Sequence, residues 1–343
     1  MTAPIRVLII DDSAFVRKVV REMLNGATGL EVVGVARDGE EGLRQVAELH
    51  PDVATCDLTM PTMDGVNFVR RQLAVAPLPI LILTASPQDA PLVVEALAAG
   101  AVDFMQKPSA LATEELRAIR AELTQKIRAL ARTHPGQMQP SGGLHPAIYT
   151  PRVVKVDLVA IGISTGGPQA LRVLLPQFPA DFPVPIAVVL HMPIGYTAAF
   201  AEKLNQLSAM EVVEAKEGEV MRPGLIVLAQ AGRHLTFRRN SRGAVVVQMP
   251  MLPIEKPHRP SVDVMFESAA DVYRDKVLGV VMTGMGDDGK QGAAWIKSQG
   301  GTVLTESEDS CVIYGMPRSV VEAGLSDASV PLDKMAQQII ERL

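Results

Sequence analysis

The stretch VDLVAIGISTGGP, residues 156–168, sets an apolar run of strand length directly before a serine flanked by glycines. The spacing of Gly162, Ser164 and Gly166 fits the nucleophile elbow, in which glycines permit the sharp strand-to-helix turn that exposes a hydroxyl. A serine in a glycine-rich turn is also a common way to close a strand, so this stretch alone leaves both readings open. It does establish a strand, a tight turn and a helix start, which is the repeating unit of an α/β protein.

Outward from this stretch, on both sides, short apolar runs alternate with helix-period segments, the pattern of strands joined by crossover helices in a parallel sheet. Residues 133–152, THPGQMQPSGGLHPAIYTPR, are rich in Pro, Gly and Ser, show no apolar period and read as a flexible linker. A helix over roughly 111–132 leads into it, opening with TEEL and ending in basic residues, as the helix dipole favours. The 343 residues therefore suggest two doubly wound α/β domains, each long enough for its own core. Their expected bounds are 1–125 and 153–343, with a helix extension and linker over 126–152.

A net charge of -5, with both signs mixed along the chain, gives no electrostatic footprint for nucleic acid or an anionic membrane. Cys56 and Cys311 lie in apolar surroundings and are too few for a disulfide framework, which points to a reducing cytoplasm. The N-terminal run MTAPIRVLIIDDS is too short for a signal peptide, and no later stretch approaches a membrane span. A soluble, cytoplasmic protein without direct membrane insertion is expected.

In the N-terminal half four apolar runs each end in a polar group: RVLII before Asp11 and Asp12, DVATC before Asp57, PILIL before Thr84, and AVDFMQ before Lys107. Ligands of open parallel sheets bind at the carboxyl ends of strands, so these side chains should converge in one crevice. Three carboxylates make a hard oxygen site suited to Mg²⁺. Asp57 sits centrally as a carboxylate able to take up a phosphoryl group, with Thr84 and Lys107 placed to hold its oxygens. Singly, acidic residues at strand ends are ordinary solvated loop groups; the recurrence over four runs is what argues for a site. The motifs IIDDS, DLTMPTMDG, LTAS and QKPS resemble the response-regulator receiver family over residues 5–125. That resemblance implies a flavodoxin-like domain phosphorylated on Asp57 by a histidine kinase. It also implies Mg²⁺ on Asp12, Asp57 and the Thr59 carbonyl with Asp11 assisting, and switch positions at Thr84 and Phe104.

In the C-terminal half a serine nucleophile needs a base and a group to orient that base. His191 follows the run PVPIAVVL (183–190), and VLGVVMT (277–283) leads into GMGDDG (284–289), so an aspartate, 287 or 288, can reach the same edge. Gly284, Gly286 and Gly289 also satisfy the dinucleotide fingerprint, with Glu306 and Glu308 about twenty residues on. Two carboxylates in that loop oppose a pyrophosphate, which disfavours the cofactor reading. The order Ser, His, Asp differs from that of α/β-hydrolases. Cys311, in SCVIYG, reads as an inert buried thiol.

Together GISTGGP, LHMP, RPSVDVMFES, TGMGDDG and CVIYGMPR resemble the catalytic domain of the CheB family of chemoreceptor protein-glutamate methylesterases, over about 153–343. The resemblance implies a Rossmann-like α/β esterase domain needing no cofactor, with Ser164 as nucleophile, His191 as general base and Asp288 as orienting carboxylate. The amides of Thr165 and Met285 become the expected oxyanion donors. His234, His258 and Arg259 fall in or near family motifs and are expected either to line the substrate groove or to hold loops. The implied substrates are methyl-accepting chemoreceptors, with glutamine deamidation as a second activity. Phosphorylation at Asp57 is expected to relieve a docked, inactive arrangement of the two domains. A phosphorylation-gated scaffold with an idle esterase site is the alternative, and a receiver-linked transcription factor is disfavoured by the lack of a basic recognition helix.

Overall fold

The computed structural model describes residues 3–107, 113–132 and 155–343; the linker expected over 133–152 lies outside the described residues. Contacts divide the chain into two units, Met1–Gln139 and Pro140–Leu343.

The first unit is built on β1 (Ile5–Ile10), β2 (Leu30–Ala36), β3 (Val53–Asp57), β4 (Ile80–Thr84) and β5 (Asp103–Gln106), all parallel in the order β2-β1-β3-β4-β5. This is the flavodoxin-like order. Strands β3 and β4 are buried along their whole length, which is why their sequences are apolar without alternation. Their faces are covered by α1 (Ala14–Asn25), α2 (Gly39–Leu49), α3 (Gly65–Val75), α4 (Ala90–Ala99) and α5 (Thr113–Leu130). The first three of these helices begin on side-chain caps: Ser13, Asp38 and Asp64 accept from the amides of Val16, Glu41 and Asn67. Register brings the strand ends into line, since Ile10 pairs with Cys56 and Thr84 with Gln106. Asp11, Asp57 and Lys107 therefore all emerge at the carboxyl edge.

The second unit contains β6 (Leu158–Ile163), β7 (Ile186–Leu190), β8 (Glu211–Glu214), β9 (Leu225–Leu228), β10 (Thr236–Arg239), β11 (Val245–Gln248), β12 (Val277–Val281), β13 (Thr302–Glu306) and β14 (Ala328–Val330). Seven of them form a parallel sheet, β14-β13-β12-β6-β7-β9-β8. Helices α6 (Gly167–Leu174), α7 (Thr197–Leu207), α8 (Val262–Tyr273), α9 (Lys290–Ser298), α10 (Met316–Glu322) and α11 (Leu332–Ile340) complete it. Strand β6 is entered first and has β7 on one side and β12 on the other, so the strand order reverses across it. Such a switch point opens a crevice at the carboxyl ends, and Ser164 stands there.

The antiparallel hairpin β10–β11 is not in the sequence expectation. Its turn is made by Asn240, whose side chain accepts from the Arg242 and Ala244 amides at 2.9 and 3.1 Å, with Gly243 at φ +82°. Its inward residues Phe237, Val245 and Val247 join the core with Phe266 and Tyr273 of α8.

Candidate active site and phosphoacceptor site

Ser164 is the first residue past β6. The turn is closed by the Gly167 amide donating to the Ser164 carbonyl at 2.7 Å and the Ser164 amide donating to the Thr283 carbonyl at 2.9 Å. Two glycines are needed here for steric reasons. Gly166 has φ +79° and a Cβ there would sit 2.6 Å from Val312, while a Cβ on Gly284 would sit 2.8 Å from the Ser164 Cβ. The glycine loop after β12 thus passes against the serine because it has no side chain at that point.

β6 and β7 pair through Ile163 and Leu190, so Ser164 and His191 leave neighbouring strands side by side, and the His191 amide donates to the Ile163 carbonyl at 3.2 Å. The loop after β12 brings Asp288 to the imidazole, with Nε2 of His191 2.8 Å from Oδ2 of Asp288. Nδ1 of His191 is buried and has no hydrogen-bond partner among the described residues. Asp287, next door, is exposed. Thr165 is buried and Met285 half-buried. Neither of their amides donates to a protein acceptor among the described residues.

Asp288 is held by more than the imidazole. Oδ1 accepts from the Ser261 hydroxyl and the Asp263 amide, both at 2.9 Å, and Oδ2 also accepts from the Val262 amide at 2.7 Å. The carboxylate therefore lies on the N-terminus of α8, where orphan amides and the helix dipole favour an anion. Burial by itself would raise its pKa; the hydrogen bond and charge of His191, followed by the two backbone amides, reverse this and hold it well below the usual carboxylate range. The arrangement is reciprocal, because Asp263 in the first turn of α8 accepts from the Gly289 and Gly292 amides at 2.9 Å each, where α9 begins. Each helix is capped by the other's aspartate.

His258 stacks on His191 with ring centroids 4.0 Å apart and planes 17° from parallel. The residue is exposed as a whole, but desolvation beside the stacked His191 and that ring's charge push its pKa down to about 4. It flanks the site as a neutral ring. His234 does something else: its Nδ1 accepts from the Ser261 amide at 3.3 Å and its Nε2 donates to the Pro253 carbonyl at 3.0 Å. It holds the loop that presents Ser261. Arg259 likewise donates to the Ile254 carbonyl at 3.1 Å within that loop. Burial and neighbouring Glu306 keep the Cys311 thiol protonated, so it offers no thiolate.

In the first unit Lys107 Nζ lies 2.8 Å from both Asp11 Oδ2 and Asp57 Oδ2. The Leu58 amide donates to Asp57 Oδ1 at 2.7 Å. Burial raises the Asp57 pKa and Lys107 offsets only part of the rise. At Lys107 burial acts to lower the pKa, but hydrogen bonds to Asp11 and Asp57 outweigh it and leave the ammonium stabilised. Ligand oxygens of Asp11, Asp12 and Asp57 all lie within 4.8 Å of one another, a donor set that fits a hard divalent cation. Thr59 is exposed beside them and Phe104 is buried. Thr84 is turned toward its own loop, donating to Asp89 Oδ2 at 3.0 Å. Cys56 is buried, and burial with Asp57 and Asp11 raises its pKa.

Comparison with known proteins adds the family. A CheB methylesterase family model matches residues 159–339, and a response regulator receiver domain model matches residues 7–119. The chain belongs to the CheB methylesterase family. A protein-glutamate methylesterase/protein-glutamine glutaminase of Myxococcus xanthus is 50% identical over 340 residues, covering 98% of this chain and 97% of that one. A Thermotoga maritima protein of the same name is 37% identical, covering 98% of each. The crystal structure of the Thermotoga maritima CheB methylesterase catalytic domain is 39% identical with a TM-score of 0.53, covering 55% of this chain and 99% of that one.

In this CheB-family chain, residue identity alone gives no role to Ser261 or to the amides of Val262 and Asp263. A serine just before an apolar, helix-period run is an N-cap signal, and that signal was present in PSVDVMF. What it does not announce is that the cap would be shared with a carboxylate from another loop. Among the described residues no helix is long and apolar enough to cross a membrane.

Proposed function

We propose that this protein is a phosphorylation-activated methylesterase that hydrolyses glutamyl γ-methyl esters on methyl-accepting chemoreceptors, with Ser164, His191 and Asp288 as its catalytic triad. The observation that carries this reading is the buried Asp288–His191 pair at 2.8 Å, beside the first residue past β6. With Nε2 committed to Asp288, Nδ1 is the ring atom that takes the Ser164 proton. The serine oxygen adds to the ester carbonyl, and the amides of Thr165 and Met285 stabilise the oxyanion. Collapse of this intermediate expels methanol, which receives the proton from His191. Water then adds to the acyl-enzyme with His191 again as base, releasing the glutamate and restoring Ser164. A glutamine side chain in the same site would lose ammonia by the same steps.

Asp57 is the residue we assign to accept a phosphoryl group from a histidine kinase, through attack of a carboxylate oxygen on phosphorus. Asp11, Asp12, Asp57 and the Thr59 carbonyl would hold Mg²⁺, which when bound offsets the negative charge gathered on the phosphoryl oxygens. Lys107 supplies a fixed positive charge to the same oxygens, while Thr84 and Phe104 are the switch positions. The protein works in the cytoplasm, where both kinase and receptor tails are reached without membrane insertion.

The test is methanol release from methylated receptor, with and without a small phosphodonor and Mg²⁺. Ser164→Ala is expected to remove turnover by a factor of about 10⁵ or more while receptor binding persists. Asp57→Asn is expected to keep basal turnover and lose the response to phosphodonor. Undiminished methanol release by Ser164→Ala overturns the assignment.

A further inference from the structure

Glu306 closes β13 at the same carboxyl edge as Ser164 and is completely buried, yet none of the chemistry above uses it. Its Oε2 accepts from the Thr283 amide at 2.9 Å and its Oε1 is 2.9 Å from the Ser310 hydroxyl. Thr283 is the residue that grips the serine turn. Its carbonyl accepts from the Ser164 amide at 2.9 Å, its hydroxyl donates to the Thr165 carbonyl at 3.0 Å, and that hydroxyl accepts from the Ile313 amide at 3.0 Å. One residue thus joins the buried carboxyl to both halves of the Ser164–Thr165 turn.

Among the described residues, the groups that shift Glu306 supply no positive charge. They are the Thr283 amide across the sheet, and Ser310, Cys311 and the carboxylate of Asp309 in the turn after β13. Burial, opposed in part by the hydrogen bonds and reinforced by Asp309, pushes its pKa up to about 7. Ser310 is equipped for a protonated partner as well, since its hydroxyl has a second acceptor in the Ser307 carbonyl at 3.4 Å.

We propose that Glu306 is a positioning residue for the Ser164 turn, acting through Thr283, and that its neutral form is the one that supports turnover. In that form Oε1 donates to Ser310 and Oε2 accepts from Thr283, so both contacts are satisfied without a buried charge. Ionisation turns Oε1 into an acceptor and reverses the Ser310 hydroxyl. It also sets a negative charge one residue behind the turn whose amides must stabilise an oxyanion, which acyl transfer opposes.

This inference rests on the Ser164 assignment above, and the test separates the two. Glu306→Gln keeps an acceptor for Thr283 and a donor for Ser310 but cannot ionise. Its kcat for methanol release is expected to match the wild type within about twofold at about pH 6 and to exceed it about three- to tenfold at about pH 8.5, with KM unchanged. The ratio of the two should inflect near pH 7, because ionisations common to both proteins cancel. Thr283→Val, which removes the hydroxyl link but keeps the amide, should lower kcat about tenfold without altering KM. Infrared spectra should show a protonated-carboxyl band in the wild type at about pH 6 that fades toward about pH 8.5 and is missing in Glu306→Gln, a readout independent of turnover. A ratio that stays flat across this range, or no such band at the lower pH, overturns the role of Glu306. Wild-type turnover that survives Ser164→Ala overturns the triad instead.

Discussion

Asp57 and Asp288 are the same residue type in the same setting, the carboxyl edge of a parallel sheet, at 5% and 9% exposure. Their ionisation equilibria nevertheless move in opposite directions, upward at Asp57 and downward at Asp288. Burial raises both, so the difference lies in the neighbours: the Asp11 carboxylate adds to the rise at Asp57, and the donors differ. Asp57 receives one backbone amide and shares Lys107 with Asp11. Asp288 receives two backbone amides, a hydroxyl and an imidazole, on both of its oxygens. On the roles proposed above, the carboxylate that takes up a phosphoryl group keeps few donors and a poorly compensated charge, and the one that orients a base is saturated.

The comparison is broken most directly at Asp288. Asp288→Asn removes the charge and leaves an NH₂ facing either the α8 amides or the imidazole, so donor would meet donor. A fall in kcat of about 10³–10⁴-fold is expected, the size associated with losing the orienting carboxylate of a serine triad. Loss of about 3 kcal/mol of stability should accompany it, because a buried pair is broken from one side. Turnover and urea midpoint measured on the same preparation check both, and kcat within tenfold of wild type would show that saturation of Asp288 serves folding only.

A smaller change sharpens the same point. Ser261→Ala deletes one donor and spares the carboxylate, so a loss of about 1–2 kcal/mol and a kcat decrease of about tenfold are expected. Asp288 has a depressed pKa in the fold, so its stabilisation is present above the unfolded value and is lost as pH falls through the folded one. With a donor gone the folded value rises, and the acid-unfolding midpoint of Ser261→Ala should move to higher pH. Circular dichroism across an acid titration of both proteins reads that shift.

The fold was legible because parallel strands buried on both faces are written as unbroken apolar runs, and each run ends in a polar residue that marks the edge. RVLII, DVATC, VDLVAIGI and VLGVVMT all fall on strands of the two parallel sheets. The β10–β11 hairpin escaped that reading because its strands are only four residues each and rest on one face of α8. In the candidate active site, positions contributed by strand ends were legible and the supports were not. Val262, Asp263, Thr283 and Glu306 reach the site through backbone groups, which leave no trace in residue identity, and Ser261 reaches it through a carboxylate distant in the chain. Of the neighbouring aspartates 287 and 288, spacing alone leaves both open; the family resemblance points to the second, and it is the second that is buried against α8.

The gentlest test of the comparison lies at the other aspartate. The Asp57 pKa is raised in the fold, so its carboxyl adds stability below the unfolded value, and that contribution is lost as pH rises through the folded one. At neutral pH the ionised group therefore weighs against the receiver, and Asp57→Asn should raise its thermal midpoint by a few degrees, about 1 kcal/mol. The gain should shrink as pH is lowered and the wild-type carboxyl takes up its proton. Lys107 also lies 2.8 Å from Asp11, a partner the substitution leaves in place, so the ammonium is not stranded. Millimolar Mg²⁺ should stabilise the wild type and narrow the gap, since a cation supplies the compensation that the protein donors withhold. A lower midpoint for Asp57→Asn at neutral pH would mean that Lys107 already balances Asp57, and the contrast with Asp288 would then reduce to helix geometry alone.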